Sequence, residues 1–156
     1  MDNMAGRPEI LEPERCRQIG RSCACYNLRK AARAVTRLYE DYLRPSGLKA
    51  TQYTVLMAAH AKGPIALTKL AHMTVTERTT LTRNLNVLEK KGFLKITAGA
   101  DRRERLIAIT DDGRRVLTRA VPLWEEAQAN IEKGLGRDRM VGFLADLLDV
   151  TTLARK

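Results

Sequence analysis

One stretch of the sequence, Thr76 to Lys91, combines helical spacing with a polar face that is suited to hydrogen bonding. Leucines recur at Leu81, Leu85 and Leu88, so a helical wheel places them together on one buried side. The opposite side is polar and carries Thr76, Thr79, Arg83, Asn86 and Lys90, with Thr80 and Thr82 at its edges. Such a face is typical of a helix that lies in the major groove of DNA.

The chemistry of this face favours the reading of DNA bases. The guanidinium group of Arg83 matches the O6 and N7 acceptors of guanine, so we expect Arg83 to contact a base edge. The threonines would contact a thymine methyl group or a phosphate, and Arg78, nearer the buried flank, is expected at a phosphate. The alternative is an ordinary solvated helix face, and the basic segment that follows argues against it.

That segment predicts a β-hairpin. Two alternating runs, residues 93–98 and 105–109, follow the helix stop at Gly92 and are joined by a short loop. Two adjacent arginines in the loop would suit the narrow minor groove, where the negative potential is enhanced. The aspartate before them is expected to hold the second arginine by a charge-assisted hydrogen bond. The hairpin residues assigned to DNA contact or its support are Lys95, Asp101, Arg102, Arg103 and Arg105.

Composition limits the partners and the compartment. Lys and Arg number 28 against 18 Asp and Glu, and the net charge of +10 implies a polyanionic partner, either nucleic acid or an anionic membrane surface. The sequence has no apolar run near the ~20 residues of a membrane span and no signal-peptide core, so we expect the cytoplasm. Three cysteines are an odd count, and Cys23 and Cys25 are too close to pair within a helix, which argues against a disulfide framework.

The rest of the chain predicts helices. Residues 1–12 are interpreted as a flexible arm, and one long helix is expected from Pro13 to about Leu43. Thr51 is the expected N-cap of a helix over residues 52–61, and residues 65–66 form a strand that could pair with the hairpin. A short helix, residues 67–73, and a break at residues 74–75 precede the polar helix. Thr110 is expected to cap a helix that Pro122 kinks. Asp138 is expected to cap a last helix, which runs to about residue 153.

These elements predict a mainly α fold with a small β-hairpin wing, that is, a winged helix-turn-helix with long terminal helices. Its segments are the arm at 1–12, an N-terminal dimerisation helix and linker at 13–50, a DNA-binding lobe at 51–110 and C-terminal dimerisation helices at 111–156. One small lobe cannot cover the apolar stripes of all the terminal helices, so we expect a homodimer that spaces two recognition helices ~34 Å apart on a pseudo-palindromic site. Terminal helices that fold back over their own core are the alternative.

The motifs of this stretch together resemble those of the MarR family of bacterial winged-helix regulators. The resemblance rests on Leu70-Ala71, on the run from Arg78 to Arg83, on Leu88-Glu89-Lys90-Lys91-Gly92, on Asp101-x-Arg103 and on Thr110-x-x-Gly113. It covers nearly the whole chain beyond the arm. It implies a homodimeric transcription regulator, usually a repressor, and often a small-molecule effector bound between the dimer helices and the DNA-binding lobe.

Two further groups of residues suggest how such a regulator would be switched. An aromatic or phenolic effector would suit a pocket of Tyr26, Tyr39, Tyr53, His60 and Trp124, although these rings are also ordinary core residues. Cys16, Cys23 and Cys25 lie among arginines and could sense oxidants, and the alternative is that they are small apolar residues buried at the dimer interface. The two histidines form no ligand spacing with the cysteines, so we expect no metal and no cofactor.

Three functions compete. A sequence-specific regulator is favoured, with a redox-sensing regulator of the same fold as its variant. A nucleoid-type protein that binds DNA without sequence preference is the second. The third is an accessory module of a nucleic-acid enzyme or RNA-associated factor, but the sequence has no nucleophile–base–acid set, no phosphate-binding glycine loop and no acidic metal cluster, so we expect no enzyme activity.

Overall fold

The computed structural model describes residues 11–101 and 104–155. The chain divides into two compact units, residues 1–37 and residues 38–156. The described elements are α1 (Pro13–Ser22), α2 (Ala24–Leu43), α3 (Ala50–Lys62), β1 (Ile65–Ala66), α4 (Leu67–Met73), α5 (Arg78–Lys90), β2 (Leu94–Ala98), β3 (Arg105–Ile109), α6 (Asp111–Leu135) and α7 (Arg137–Leu153), with a 3-10 turn at Arg44–Ser46. The predicted fold class, mainly helical with a small sheet, is confirmed.

The first unit corrects the expectation of one long N-terminal helix. The helical pattern is interrupted at Cys23, which has an extended backbone with φ −73° and ψ 110°, so two helices replace one. The side-chain amide of Asn27 donates to the backbone oxygens of Gly20 and Arg21, each at 3.2 Å, and to that of Cys23 at 2.9 Å. These bonds satisfy carbonyls that the end of α1 leaves without helical partners. The break was missed because no glycine or proline marks it.

The second unit holds the apolar core. Leucines of α4 and α5 are buried against α3, the sheet and α6. Burying a side chain of this size contributes about 1.5–3 kcal/mol, so the leucine spacing fixes which side of each helix faces inward. The largest buried side chains are Leu43, Leu56, Ile65, Leu70, Leu81, Leu85, Leu88, Leu94, Ile107 and Val116.

The sheet has three antiparallel strands in the order β1-β3-β2. Ile107 of β3 lies opposite Ile65 of β1 on one side and Ile96 of β2 on the other. The predicted pairing of residues 65–66 with the hairpin is therefore confirmed, and β1 anchors the base of the wing to the start of α4.

A close approach of backbones joins α6 to the end of α5. The hydroxyl of Thr110 accepts from the backbone N–H of Gly113 at 3.0 Å, which confirms Thr110 as the N-cap of α6, and donates to the carbonyl of Gly92 at 2.6 Å. A Cβ on Gly113 would stand 1.9 Å from the carbonyl oxygen of Phe93, so only glycine fits there. The Thr110-x-x-Gly113 motif thus ties α6 to the residues that end the recognition helix.

The turn between α4 and α5 is a Schellman motif with an unusual residue. The backbone N–H of Thr76 donates to Ala71 at 3.0 Å and that of Val75 to His72 at 3.4 Å, which satisfies carbonyls at the end of α4. The motif requires a left-handed residue, and Val75 supplies it with φ 48°. Glycine ordinarily takes this position, since a β-branched side chain is strained there.

Several helix boundaries differ from the sequence-based ones. Lys49, not Thr51, precedes α3, because the side chain of Gln52 accepts from the backbone N–H of Lys49 at 3.1 Å. Helix α5 begins at Arg78, so Thr76 lies in the turn. Gly136 rather than Asp138 precedes α7.

The helix after the wing also bears on the predicted segments. Helix α6 runs through Pro122 as one helix from Asp111 to Leu135. Its residues Val116, Leu117 and Ala120 belong to the core around α3, and the compact unit covers residues 38–156. The assignment of residues 111–156 to dimerisation helices stays a prediction.

Candidate nucleic-acid interface

The outward face of α5 carries the side chains that were assigned to base reading. Because Leu81, Leu85 and Leu88 are buried, the helix is held in one rotation about its axis, and Arg83 and Asn86 are exposed on the other side. Arg78 and Thr79 are also exposed, in the first turn. Among the described residues, no carboxylate pairs with Arg83 or Arg78, so both cations remain available to an anionic partner.

Two of the assigned threonines already use their hydroxyl protons. The hydroxyl of Thr82 donates to the carbonyl of Arg78 at 2.7 Å, and that of Thr76 donates to the carbonyl of Thr74 at 3.0 Å. Each oxygen can therefore accept a hydrogen bond, but it cannot donate one to a phosphate without breaking the internal bond. For these two residues a methyl contact suits the geometry better than a phosphate contact.

The described part of the wing presents basic side chains along both strands. Lys95 of β2 and Arg105 of β3 are exposed, and Lys95 lies opposite Ala108 in the ladder. At the loop, the N–H of Glu104 donates to the carbonyl of Asp101 and that of Gly99 to the carbonyl of Glu104, each at 2.9 Å. Arg102 and Arg103 lie outside the described residues, so their minor-groove contact and the support from Asp101 stay predictions.

One contact that the sequence analysis did not assign fastens the wing to the recognition helix. The carboxylate of Glu89 in α5 accepts from the backbone N–H of Ile96 in β2 at 2.9 Å. A hydrogen bond to a charged group of this kind contributes about 1.5–3 kcal/mol before solvent exposure is discounted. The available signal was the position of Glu89 beside the buried Leu88, one turn before the hairpin.

Three of the five aromatic and histidine side chains proposed for an effector pocket lie near one another. The rings of Tyr53 and Trp124 stack with centroids 6.3 Å apart and planes inclined by 14°. The hydroxyl of Tyr39 donates to Gln128 of α6 at 2.5 Å. Burial raises the pKa of Tyr39, and burial, then Glu125 and Tyr39, raise the pKa of Tyr53. Both phenols are thus neutral donors at physiological pH.

The remaining two proposed pocket residues are exposed. Tyr26 belongs to the first unit, and His60 lies near the end of α3. In the described part of the chain, no group of three or more His, Cys, Asp or Glu side chains could hold a metal ion. An effector pocket that includes all five residues stays a prediction.

The three cysteines are free thiols in the first unit. Cys16 and Cys25 are exposed, whereas Cys23 is partly buried at the break between α1 and α2. The backbone N–H of Tyr26 donates to the sulfur of Cys23 at 3.4 Å, so this sulfur caps the first turn of α2. Cys16 and Cys25 are exposed in this single chain, so the burial of the cysteines at a dimer interface stays a prediction.

The order of elements defines the class of the second unit. The short helix α4 is followed by a tight turn and by the longer helix α5, which has an exposed polar face. The hairpin of β2 and β3 comes next, and β1, which precedes α4, pairs with β3 as the third strand of the sheet. This is a winged helix-turn-helix. No helix among residues 11–101 and 104–155 has the length and apolarity needed to cross a membrane.

Comparison with known proteins gives the family. Residues 48–104 match the model of the MarR family. The structure resembles the crystal structure of the Mycobacterium tuberculosis transcriptional regulator MosR in complex with DNA, at 39% identity and a TM-score of 0.76, over 86% of this chain and 100% of that one. A second crystal structure of MosR gives 36% identity and a TM-score of 0.75, over 86% of this chain and 98% of that one.

Two curated bacterial proteins are similar over shorter regions. The regulator SarZ of Staphylococcus epidermidis is 31% identical over 91 residues, which is 58% of this chain and 62% of SarZ. The uncharacterised regulator YwoH of Bacillus subtilis is 28% identical over 87 residues, which is 56% of this chain and 64% of YwoH. The match thus spans less than two thirds of the length of these curated relatives. With the identity and coverage of MosR, the chain belongs to the MarR family of transcriptional regulators.

Proposed function

We propose that this chain is a homodimeric regulator that binds a pseudo-palindromic DNA operator, acts as a repressor in the cytoplasm and is released by a small-molecule effector. The observation that carries the proposal is the exposed face of α5, where Arg83 and Asn86 stand opposite a row of buried leucines beside a basic wing. A relative with 39% identity, MosR, has been crystallised with DNA. An arginine that has no acidic partner among the described residues is suited to a guanine edge.

Dimerisation is supported by apolar side chains that this single chain leaves exposed. On α7, Val141, Leu144 and Leu148 recur at helical spacing, with exposed fractions of 67%, 50% and 67%. Met140 is the one buried residue of α7, all of which is described, so the outer surface of this helix needs a partner. In the first unit, Ile19 is also exposed. A second copy of the chain would cover such stripes and place two α5 helices on one two-fold axis.

Effector release is supported by the phenol and indole cluster around Tyr53. Trp124 of α6 stacks on Tyr53, and Tyr39 of α2 raises the pKa of Tyr53. The side-chain amide of Gln128 accepts a hydrogen bond from the hydroxyl of Tyr39. A flat aromatic acid or phenol would find both stacking surfaces and hydrogen-bonding groups there. Insertion of such a ring would shift α6, and α6 is tied through Thr110 to the end of α5.

The experiment that tests DNA reading begins with selection of bound fragments from a random duplex pool. We expect an operator with two related half-sites, bound at least about 10³-fold more tightly than random duplex at physiological salt. In a second step, Arg83→Ala is compared with Arg119→Ala, which removes an exposed arginine of α6. Arg83→Ala should reduce operator affinity by about 1–3 kcal/mol and leave random-duplex affinity nearly unchanged. Arg119→Ala should change neither of the two affinities.

Two outcomes would contradict the proposal. Equal affinity for the selected and random duplexes would favour the nucleoid-type binder, and equal loss on both DNAs in Arg83→Ala would assign that arginine to phosphate.

Effector release is tested by adding aromatic carboxylates to the operator complex, with Tyr39→Phe as the matched variant. Release that is unchanged in Tyr39→Phe would remove this phenol from the effector site.

Redox control is a second candidate, favoured by the position of the cysteines. Cys23 caps α2 just outside the helix and Cys25 is exposed in its first turn, so a bond between them would distort only the start of one helix. Operator affinity measured before and after hydrogen peroxide, with Cys23→Ser and Cys25→Ser as controls and Cys16→Ser as the comparison, tests this candidate. An unchanged midpoint after complete thiol oxidation would exclude it.

A further inference from the structure

A groove of about 720 Å³ runs beside the recognition helix, between α5 and the first turns of α3. One wall is formed by α5 from Thr80 to Val87, and the other by the residues that begin α3. None of the DNA-contacting residues proposed from sequence lies on the α3 wall. The groove therefore adds a surface next to the base-reading face that the proposed function has not used.

The chemistry of the groove suits an anion. Three cations line it, Lys49, Arg83 and Lys91, and no carboxylate is among its lining residues. Lys91 is directed toward the start of α3, since its amine donates to the carbonyl of Gly47 at 3.1 Å. Threonines from α3, the turn and α5 supply hydroxyl groups between these charges. A surface of this kind favours phosphate oxygens over a neutral or cationic occupant.

Gln52 gives an independent reason to expect an occupant with acceptor oxygens. The residue is only 6% exposed and lines the groove. The oxygen accepts the backbone N–H of Lys49 at 3.1 Å, which fixes the orientation of the amide, because nitrogen at that place could not accept. The amide nitrogen makes no hydrogen bond to a described residue, yet it is not sealed from the groove. The amide nitrogen therefore opens on the groove as a donor that an acceptor oxygen of an occupant can use.

The position of the groove identifies the source of those oxygens. The major groove of B-DNA is about 12 Å wide, and an α-helix with its side chains is about 10–12 Å across. A helix seated in that groove is therefore flanked closely by a sugar-phosphate backbone on each side. Arg83 belongs both to the wall of the groove and to the exposed face of α5, so a backbone beside α5 would pass along this surface.

We propose that the groove between α3 and α5 holds the sugar-phosphate backbone of the bound duplex, with the Gln52 amide and the Lys49 amine donating to phosphate oxygens. The proposal rests on the proposed function, because it requires α5 to lie in the major groove. These contacts are independent of sequence, and they fix the depth and register at which Arg83 meets the bases. Lys49 and Gln52 are positioning residues for base reading.

The first test is Gln52→Glu. The carboxylate keeps an oxygen for the Lys49 N–H and so preserves the helix cap, but it removes the donor and places negative charge in the groove. We expect at least about a tenfold loss of affinity for operator and random duplex alike, with an unchanged melting temperature or a raised one. Ala61→Glu is the matched control, since it makes the same change of charge at the other, exposed end of α3, and we expect less than about a twofold effect.

A second variant measures the charge contact. Lys49→Gln should reduce the slope of log affinity against log salt by about one on both duplexes, while Lys62→Gln, at the far end of α3, should leave the slope unchanged. Single neutral methylphosphonates placed along the operator then locate the contact. At one phosphate in each half-site, neutralisation should weaken the unmodified protein but have little further effect on Lys49→Gln.

The outcomes separate this proposal from the proposed function. Loss of selectivity between operator and random duplex in the unmodified protein would defeat the regulator proposal itself. A selective protein in which Gln52→Glu behaves like Ala61→Glu, and in which no methylphosphonate position depends on Lys49, would overturn only the backbone groove. Weaker binding of inorganic phosphate in Gln52→Glu with DNA affinity unchanged would assign the groove to a small anion and would also overturn it.

Discussion

Replacement of Val75 by glycine should stabilise this protein, although it deletes an apolar side chain. Val75 supplies the left-handed residue of the turn between α4 and α5, with φ 48°. For a β-branched L-residue this conformation lies at the upper end of a cost of about 1–3 kcal/mol. Glycine adopts it freely but loses about 0.5–1 kcal/mol more backbone entropy on folding. The residue is 59% exposed, so about 0.6–1.2 kcal/mol of burial is lost as well, and the expected net gain is about 0.5–1 kcal/mol.

The gain is measured by chemical denaturation at one fixed protein concentration, because the stability of a dimer depends on concentration. Val87→Gly is the matched control. Val87 is a valine of the helix α5 with 43% exposure, and glycine inside a helix is unfavourable, so this change should destabilise by roughly 0.5–1 kcal/mol. Val75→Asn should fall between valine and glycine, since asparagine tolerates the left-handed region. A loss in Val75→Gly equal to that in Val87→Gly would refute the assignment of strain to this turn.

Three further predictions concern other parts of the molecule. Gly113→Ala should destabilise by more than about 2 kcal/mol in thermal unfolding, because its Cβ would stand 1.9 Å from the backbone oxygen of Phe93; a normal melting curve would contradict that close approach. Leu148→Asp should shift the molecular mass in light scattering from dimer to monomer at micromolar concentration, whereas an unchanged mass would place the dimer contact elsewhere. The hydrogen bond from Arg114 and the charge of that arginine lower the pKa of Asp111 below 3.8. The stability that ionised Asp111 contributes to the fold is therefore present above pH 3.8 and is lost as the pH falls through the lowered pKa. NMR titration of this carboxyl should show a lowered pKa in the unmodified protein and an ordinary pKa in Arg114→Gln.

The recognition helix shows how much of the site the sequence alone determined. The spacing of Leu81, Leu85 and Leu88 was enough to predict which side of α5 is buried, because burial of leucine follows helical period. That prediction also placed Arg83 outward. Side-chain type and local period are properties of the chain itself, so the helix-turn-helix, the wing and the polar face were available before any coordinates.

Tertiary structure decided the features that depend on contacts between distant residues. The break at Cys23 is made by Asn27, whose amide reaches back to the carbonyls of α1, and no breaker residue announces it. The need for glycine at position 113 arises from the backbone of Phe93, which is brought there by the fold.

The groove beside α5 is the clearest case. Gln52 and Lys91 are 39 positions apart in the chain, and the sequence analysis assigned neither to DNA contact. Packing of α3 against α5 brings their side chains to one surface, where the Gln52 amide nitrogen opens as a donor on a cationic groove. Sequence fixes local period and chemistry because these act over neighbouring residues, whereas a site shared between two helices exists only after the core has set their separation.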